Sequence, residues 1–418
     1  MLRRHPQQTA WTIICIAFVL FCSLLFGGLY GTYWWLTASM VDQSIALSGE
    51  TVVQLPNAAR QEVDRTSAPV GSTISTQLGL ASQANITFLG SGGDTPVAII
   101  QMFDNTRIVI MEAHTPRYPS LNSEPNTITI RVETGRLRII TPQSVNRLSR
   151  IAVLSSAGSR TVISEPGTNV SVDNTNTVST RITVREGRVQ VMSDDTGDAL
   201  DLAAEQTATV DAGQAPRGPD VSERNLIQNG DFRELLAGTW VIDTPPASQP
   251  DQPPVAIRVM TDEQPAVRFS REGVNFVRGS ISQPVNVNVS DFAFLRLGLD
   301  VRVLQQSLSN CGQLGTECPV MVRLVYQDPN GSQHEWLQGF YSRFSATQGS
   351  PRCLTCGLPA PEHIQVQQGV WLNWTSPDLL ALLRQADRPM AVLLSIQIEA
   401  SGHSFDSEVT QVQLLARE

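Results

Sequence analysis

The chain contains no lysine: all 30 of its basic side chains are arginine, set against 39 acidic ones, for a net charge of −9. Histidine is scarce at five, and charged residues make up only 17 % of the 418. An acidic surface repels a phosphate backbone, so nucleic-acid binding is excluded. The few histidines, and the absence of any G-x-S-x-G, H-E-x-x-H or P-loop spacing, argue against an enzyme. Carboxylate pairs such as Asp194 and Asp195 lie in turn-like sequence and read as solvated loops, not as a general acid–base dyad. From Asp42 to Asp220 there is no tryptophan and no long apolar run of helical period, which argues against a helical domain there.

Near the start of the chain, charge is missing from one long run. From Ala10 to Leu36 no side chain is charged, and Arg3, Arg4 and His5 stand just before. A helix of that length rises roughly 40 Å, more than the ~30 Å hydrocarbon core of a bilayer. The arginine pair places the N-terminus in the cytoplasm, and Tyr30, Tyr33, Trp34 and Trp35 supply an aromatic belt at the far interface. A cleavable signal peptide has a shorter apolar core and a small-residue cleavage site, and the site around Ala38 and Ser39 is poor. The expected layout is a cytoplasmic stub (1–9), a transmembrane helix (10–36) and an extracytoplasmic remainder. The protein is thus single-pass, with the lipid bilayer as its first partner.

Six cysteines divide between two environments. Cys15 and Cys22 fall in the apolar run, on one helix face, as small packers. Cys311, Cys318, Cys353 and Cys356 fall outside, where an oxidising compartment favours two disulfides with three possible connectivities. The zinc alternative, C-x6-C followed by C-x2-C, lacks the paired short knuckles of a zinc ribbon. His334 and His363 read as solvated surface side chains.

Residues 37–215 show short alternating segments bounded by Gly, Asn and Asp, the pattern of an all-β domain. Residues 127–139 alternate Ile128, Ile130 and Val132 against polar neighbours, and residues 181–191 carry Ile182 and Val184 in the same phase. Both contain V-x-x-G-R-[LV]-x-[IV], from Val132 and from Val184, which places Gly135 and Gly187 where the backbone needs positive φ. A repeated strand–Gly–strand unit predicts two β layers stacked on one core, solenoid-like or jelly-roll-like. Three segments carry a resemblance: G-T-N-V-S-V at 167–172, T-V-R-E-G-R-V-Q-V at 183–191 and L-A-A-E-Q-T-A-T-V at 202–210. In this order they resemble the extracytoplasmic domain of the FecR family, over about residues 60–213, with residues 70–76 and 102–110 as its early strands. Glu205 stands where that family prefers glycine. The resemblance implies a regulatory receptor, but nine cytoplasmic residues cannot form the helical domain with which such receptors grip a sigma factor. Signalling would then require a partner protein.

Pro216, Gly218 and Pro219 mark a linker over 216–224, after which tryptophan and cysteine return. N-L-I-Q-N-G-D-F at 225–232, followed by Trp240, resembles the opening of galactose-binding-like domains and jelly-roll carbohydrate-binding modules. An Asn-Gly turn at Asn229 and Gly230, with Phe232 and Trp240 entering a core, is the physical content. Residues 294–303 put Leu295, Leu297, Leu299, Val301 and Val303 on one face and Arg296, Asp300 and Arg302 on the other. A hairpin over 320–340 turning at 328–331 and a closing strand over 409–415 complete an antiparallel β-sandwich spanning 225–418. The fold class is mainly β.

A glycan platform needs exposed rings flanked by hydrogen-bonding groups. Trp336, Tyr341, Trp371 and Trp374 are the candidate rings, with Arg296, Gln338 and Asn373 as polar neighbours; large aromatics also close core ends. Modules that this one resembles often hold a structural Ca²⁺ through a Glu after N-G-D-F. Arg233 takes that position here, leaving Asp231 and Asp406 as the candidate ligands and no expected cofactor. The expected function is that of a membrane-anchored, non-catalytic binding or surface-structural protein, whose partner is a cell-surface glycan or an envelope protein.

Overall fold

The computed structural model describes residues 6–56, 61–63, 65–76, 83–90, 95–144, 147–176, 178–246, 251–309, 311–343, 345, 352–356, 359 and 362–417. Arg3, Arg4 and His5, which set the expected orientation, lie outside the described residues. Among those described, the chain divides into two compact units, one through Asp220 and one from Val221.

The first unit opens with the helix Pro6–Ala38. Ala10–Ala38 reaches a mean hydropathy of 2.5, and no residue of its most apolar stretch is buried in the protein, so this helix is long and apolar enough to cross a membrane. Ser39 alone separates it from the strand Met40–Asp42, which pairs antiparallel with His114–Pro116 at the end of the strand Arg107–Pro116.

Two β layers follow. One carries, in order, Gln61–Val63, Thr51–Gln54, Thr73–Thr76, Arg107–Pro116, Asn126–Ile140, Ser149–Ser155, Ser159–Ile163, Arg188–Ser193 and Ala199–Ala203. The other carries Ser44–Gly49, Ala84–Leu89, Pro96–Met102, the second half of Asn126–Ile140, Asn169–Asn174, Ser179–Glu186 and Gln206–Asp211. The strand Asn126–Ile140 serves both layers and changes layer at Gly135. Gly135 has φ +93°, and a Cβ there would lie 2.4 Å from the Thr106 Cα, so only glycine fits the corner. Gly187 repeats the device between Ser179–Glu186 and Arg188–Ser193, at φ +80° against Thr168. Each corner is held by a buried threonine pair. The Thr106 N–H donates to Thr76 Oγ1 (2.9 Å), and the Thr168 N–H donates to Thr141 Oγ1 (2.8 Å). The two matched segments are therefore two corners of one stack, with Asn169–Asn174 between their strands rather than direct pairing. Ile128, Ile130, Val132, Ile182 and Val184 all point into the core between the layers.

The second unit is a sandwich of two six-stranded sheets. The front sheet runs Val255–Thr261, Gln264–Arg271, Phe405–Arg417, Phe294–Gln306, Leu372–Thr375. The back sheet runs Val241–Asp243, Val277–Asn288, Val392–Gly402, Val320–Gln327, Gln333–Tyr341, Ile364–Gln365. The strand expected to close the fold, Phe405–Arg417, lies at the centre of the front sheet instead. Leu295, Leu297, Leu299, Val301 and Val303 face the core with Phe232, Trp240 and Phe269. The stretch expected as a linker holds two short strands, Arg217–Val221 and Glu223–Asn225, the latter pairing with Phe405–Arg417.

The Asn-Gly turn exists, with the Phe232 N–H donating to Asn229 O (3.3 Å), but it joins no two strands. It docks instead on the central front strand, where the Val412 N–H donates to Gly230 O (2.8 Å). The Asn229 amide ties the following loop through Glu234, Leu235 and Thr239.

Candidate functional site

On the front sheet, alternation sends one row of side chains into the core and the next outward. Leu372 and Trp374 pair with Val301 and Leu299 and pack inward, whereas Asn373 faces out and donates to Asp300 Oδ1 (2.6 Å). Trp374 stands edge-on to Phe340 of the other sheet, ring centroids 5.2 Å apart. It packs partly buried against the core.

Trp371, one residue before that strand, is only half-buried and belongs to the outer face. Its Nε1–H donates to Asp262 Oδ2 (3.1 Å), and the Arg302 guanidinium lies 4.7 Å from its ring centroid. Asp262 reaches this position from a two-residue hairpin loop in which both Asp262 (φ +49°) and Glu263 (φ +65°) are left-handed. Asp262 tolerates that conformation better than most L-residues and Glu263 does not, and the loop holds both where the Asp262 carboxylate meets two partners. Arg302 donates from Nη1 to Asp262 (2.8 Å) and from Nε and Nη2 to one oxygen of Glu408, a carboxylate buried at 2 % exposure. Glu408 also accepts from Thr261 Oγ1 (3.1 Å). Beside it Arg268 grips Asp406 with two bonds (2.8 and 2.5 Å), which raises the guanidinium pKa further. The outer face is thus a preorganised row of two guanidinium groups among four carboxylates, Asp262, Asp300, Asp406 and Glu408, with one indole at its end.

The other expected site residues lie elsewhere. Arg296 is outward on the same strand as Arg302, but six residues away, about 20 Å, and it stacks on Phe294. Trp336 is 3 % exposed and points into the sandwich core, and Tyr341 is 5 % exposed. Neither ring offers a face to a ligand. The hydrophobicity that suggested a platform serves packing. Gln338 is buried too, its amide donating to Gly339 O and Glu362 O. The calcium candidates are taken by arginine: Asp231 faces Arg233 (3.3 Å) and Asp406 holds Arg268. The carbonyls of Phe232 and Arg233 accept instead from the Arg258 guanidinium (2.6 and 3.2 Å). Among the described residues no group of three or more His, Cys, Asp or Glu is placed to hold a metal.

On the back sheet's outer face the two expected disulfides form, and they share one cap that cysteine spacing did not reveal. The structure joins Cys311 to Cys318 and Cys353 to Cys356, and these disulfides pack with Met321, Leu337 and Tyr341 as a small apolar cap. His363 sits beneath it, 3 % exposed rather than solvated; its Nδ1 accepts from the Gly339 N–H (2.9 Å) and its Nε2 faces Gly312 O (3.3 Å). Burial pushes the imidazole pKa down. The sulfurs are all consumed in disulfides, so they supply no zinc thiolate. Glu399, fully buried on the same face, is pushed up by burial, against the pull of Arg323 (3.3 Å). His334 is tied to Asp328 in the hairpin turn (3.1 Å), which holds that carboxyl below its ordinary range.

No family model matches the sequence, and no curated protein is significantly similar to it. Among solved structures, the chain is similar to a family 61 carbohydrate-binding module in complex with β-1,4-galactotriose. The identity is 13 % and the TM-score 0.26, over 47 % of this chain and 99 % of that one. It is also similar to the family 11 carbohydrate-binding module of a cellulosomal cellulase from Clostridium thermocellum, at 11 % identity and a TM-score of 0.25, over 47 % and 95 %. A candidate anti-sigma factor from Parabacteroides distasonis shows 14 % identity and a TM-score of 0.25; the match spans 36 % of this chain and 61 % of that protein. At such identities and TM-scores these likenesses carry no argument, and no residue role passes from them to this chain.

Proposed function

We propose that the chain is a membrane-anchored, non-catalytic extracytoplasmic binding protein whose second unit takes a neutral glycan on the outer face of the front sheet, beside Trp371. The observation that carries this reading is the fixed indole. Trp371 is half-buried, tied at Nε1 to Asp262 and backed by Arg302, so its orientation is set before any ligand arrives. Rigid aromatic anchors of this kind lose little entropy on binding. The neighbouring Asn373, Asp300 and Thr261 supply donors and acceptors for hydroxyl groups. Both guanidinium groups are already neutralised by carboxylates, so an acidic sugar would find no free cation in the row. Neutral polysaccharide fits that balance.

The test is a glycan array with the full chain, followed by titration of the best neutral oligosaccharide. Trp371→Ala should weaken binding by roughly 1–3 kcal/mol, about 5- to 150-fold, with the melting temperature nearly unchanged. Unchanged affinity in a folded Trp371→Ala protein would rule the site out. A second reading, a receptor that signals through a partner in the membrane, is favoured by the one-residue connection at Ser39, which leaves little slack between helix and sheet. Crosslinking from Cys15 or Cys22 to a partner would favour it.

A further inference from the structure

The helix Pro6–Ala38 does not end in free space. Its Trp35 ring meets Tyr118 edge-on at 5.5 Å, and the Arg117 guanidinium lies 5.8 Å from the same indole. The Arg117 N–H donates to Ser39 O (3.0 Å), and the Asn122 amide reaches the same carbonyl (3.3 Å). A neighbouring loop is pinned on: Arg147 donates to Glu124 O and Pro119 O, both at 2.5 Å. Leu121 and the adjoining Leu148 are left 55 % and 58 % exposed at this end of the unit.

Depth follows from the helix. Its 29 apolar residues rise about 43 Å, some 13 Å beyond the hydrocarbon core, so the segment bearing Tyr33, Trp34 and Trp35 lies at the headgroup level. Whatever touches Trp35 lies at that level too. We propose that residues 117–125 and 147–148 form a foot that seats the first unit on the phospholipid surface, Arg117 meeting headgroup phosphates while Leu121 and Leu148 enter between the headgroups. The inference rests on reading the helix as a membrane anchor. The nearby acids do not forbid it. Asp42 is engaged by His114 (3.1 Å); the exposed acids at this end are Glu124, on the loop itself, and Glu165, which lines a recess with Leu148. The chain's net negative charge is spread over the whole sequence, whereas exposed Arg117 stands at the foot.

The test uses the full chain with Cys15→Ala and Cys22→Ala, the other four cysteines being in disulfides. A nitroxide is attached after Leu24→Cys, Leu121→Cys or Val178→Cys, each in bilayers of phosphatidylethanolamine and phosphatidylglycerol. Collision with oxygen is then compared with collision with a water-soluble nickel chelate. Val178 is exposed and lies near Asn174, which pairs with Gly135 at the corner, nine residues along the strand from the foot. Position 24 should meet oxygen alone. Position 121 should show a nickel-to-oxygen ratio several-fold below that of position 178. Equal ratios at 121 and 178, with position 24 in hydrocarbon, would overturn the foot and leave the anchor intact. Nickel access at position 24 would overturn both.

Discussion

Glu205 is held in a conformation that L-residues avoid. It sits at φ +64° in the turn between Ala199–Ala203 and Gln206–Asp211, its N–H donating to Val184 O (2.7 Å). The left-handed conformation costs a non-glycine residue about 1–2 kcal/mol, and glycine's freedom in the unfolded chain takes back about 0.5–1. Glu205→Gly should therefore stabilise the first unit by up to about 1 kcal/mol, a rise in melting temperature of about 2–4 °C. A fall would mean that the glutamate side chain contributes more than the strain costs. It was the resemblance that pointed to this position, since a preference for glycine marks a backbone corner. Trp336 and Tyr341 were not readable in the same way. An aromatic on an alternating strand gives its face only relative to a neighbour, and the loops that cover Tyr341 are remote in sequence.

At the scale of elements, the cap over the back sheet joins pH to packing. Neutral His363 accepts from the Gly339 N–H, and burial holds its pKa below the ordinary value. As pH falls through about 6.5 the unfolded chain takes up the proton first, so the stability His363 contributes is present above that value and declines towards the lowered folded pKa. Glu399, raised by burial, works in the opposite sense, since its protonated form is the one the fold prefers. The sign is isolated by comparing wild type with His363→Gln, whose amide can make both hydrogen bonds. Between about pH 7.5 and about pH 5 the wild type should lose more stability, and its Gly339 amide should exchange faster than in the variant. Parallel slopes in the two proteins would contradict the assignment. Sequence showed four cysteines and a histidine but not that they share one cap. The contact depends on Gly339, where a Cβ would lie 2.7 Å from Cys318 Sγ.

At the scale of the whole molecule, each unit encloses its own apolar cluster, with the division falling between Asp220 and Val221. We propose that residues 221–418 fold alone. A β-sandwich of about 200 residues buries a sufficient core, and starting at 221 keeps the strand Glu223–Asn225 on the front sheet. The expected outcome is a single cooperative melt with dispersed NMR signals; an aggregated or molten fragment would mean that the units depend on one another. Alternation and glycine spacing made the two β halves visible in the sequence, because period two and positive φ are local properties. The Trp371–Arg302–Asp262–Glu408 row was not visible. Its members come from residues 262 to 408 and meet only once the strands are in register.

The connection at Ser39 also sets an angle. A helix turns about 100° per residue, and a single intervening residue before a hydrogen-bonded strand gives no swivel in which to lose that rotation. Adding or deleting one residue near the end of the helix would therefore change which side of the β unit faces a given neighbour in the plane of the membrane. The helix length acts as a phase setting, and proteins differing there by one residue would present different compass bearings to the same surroundings.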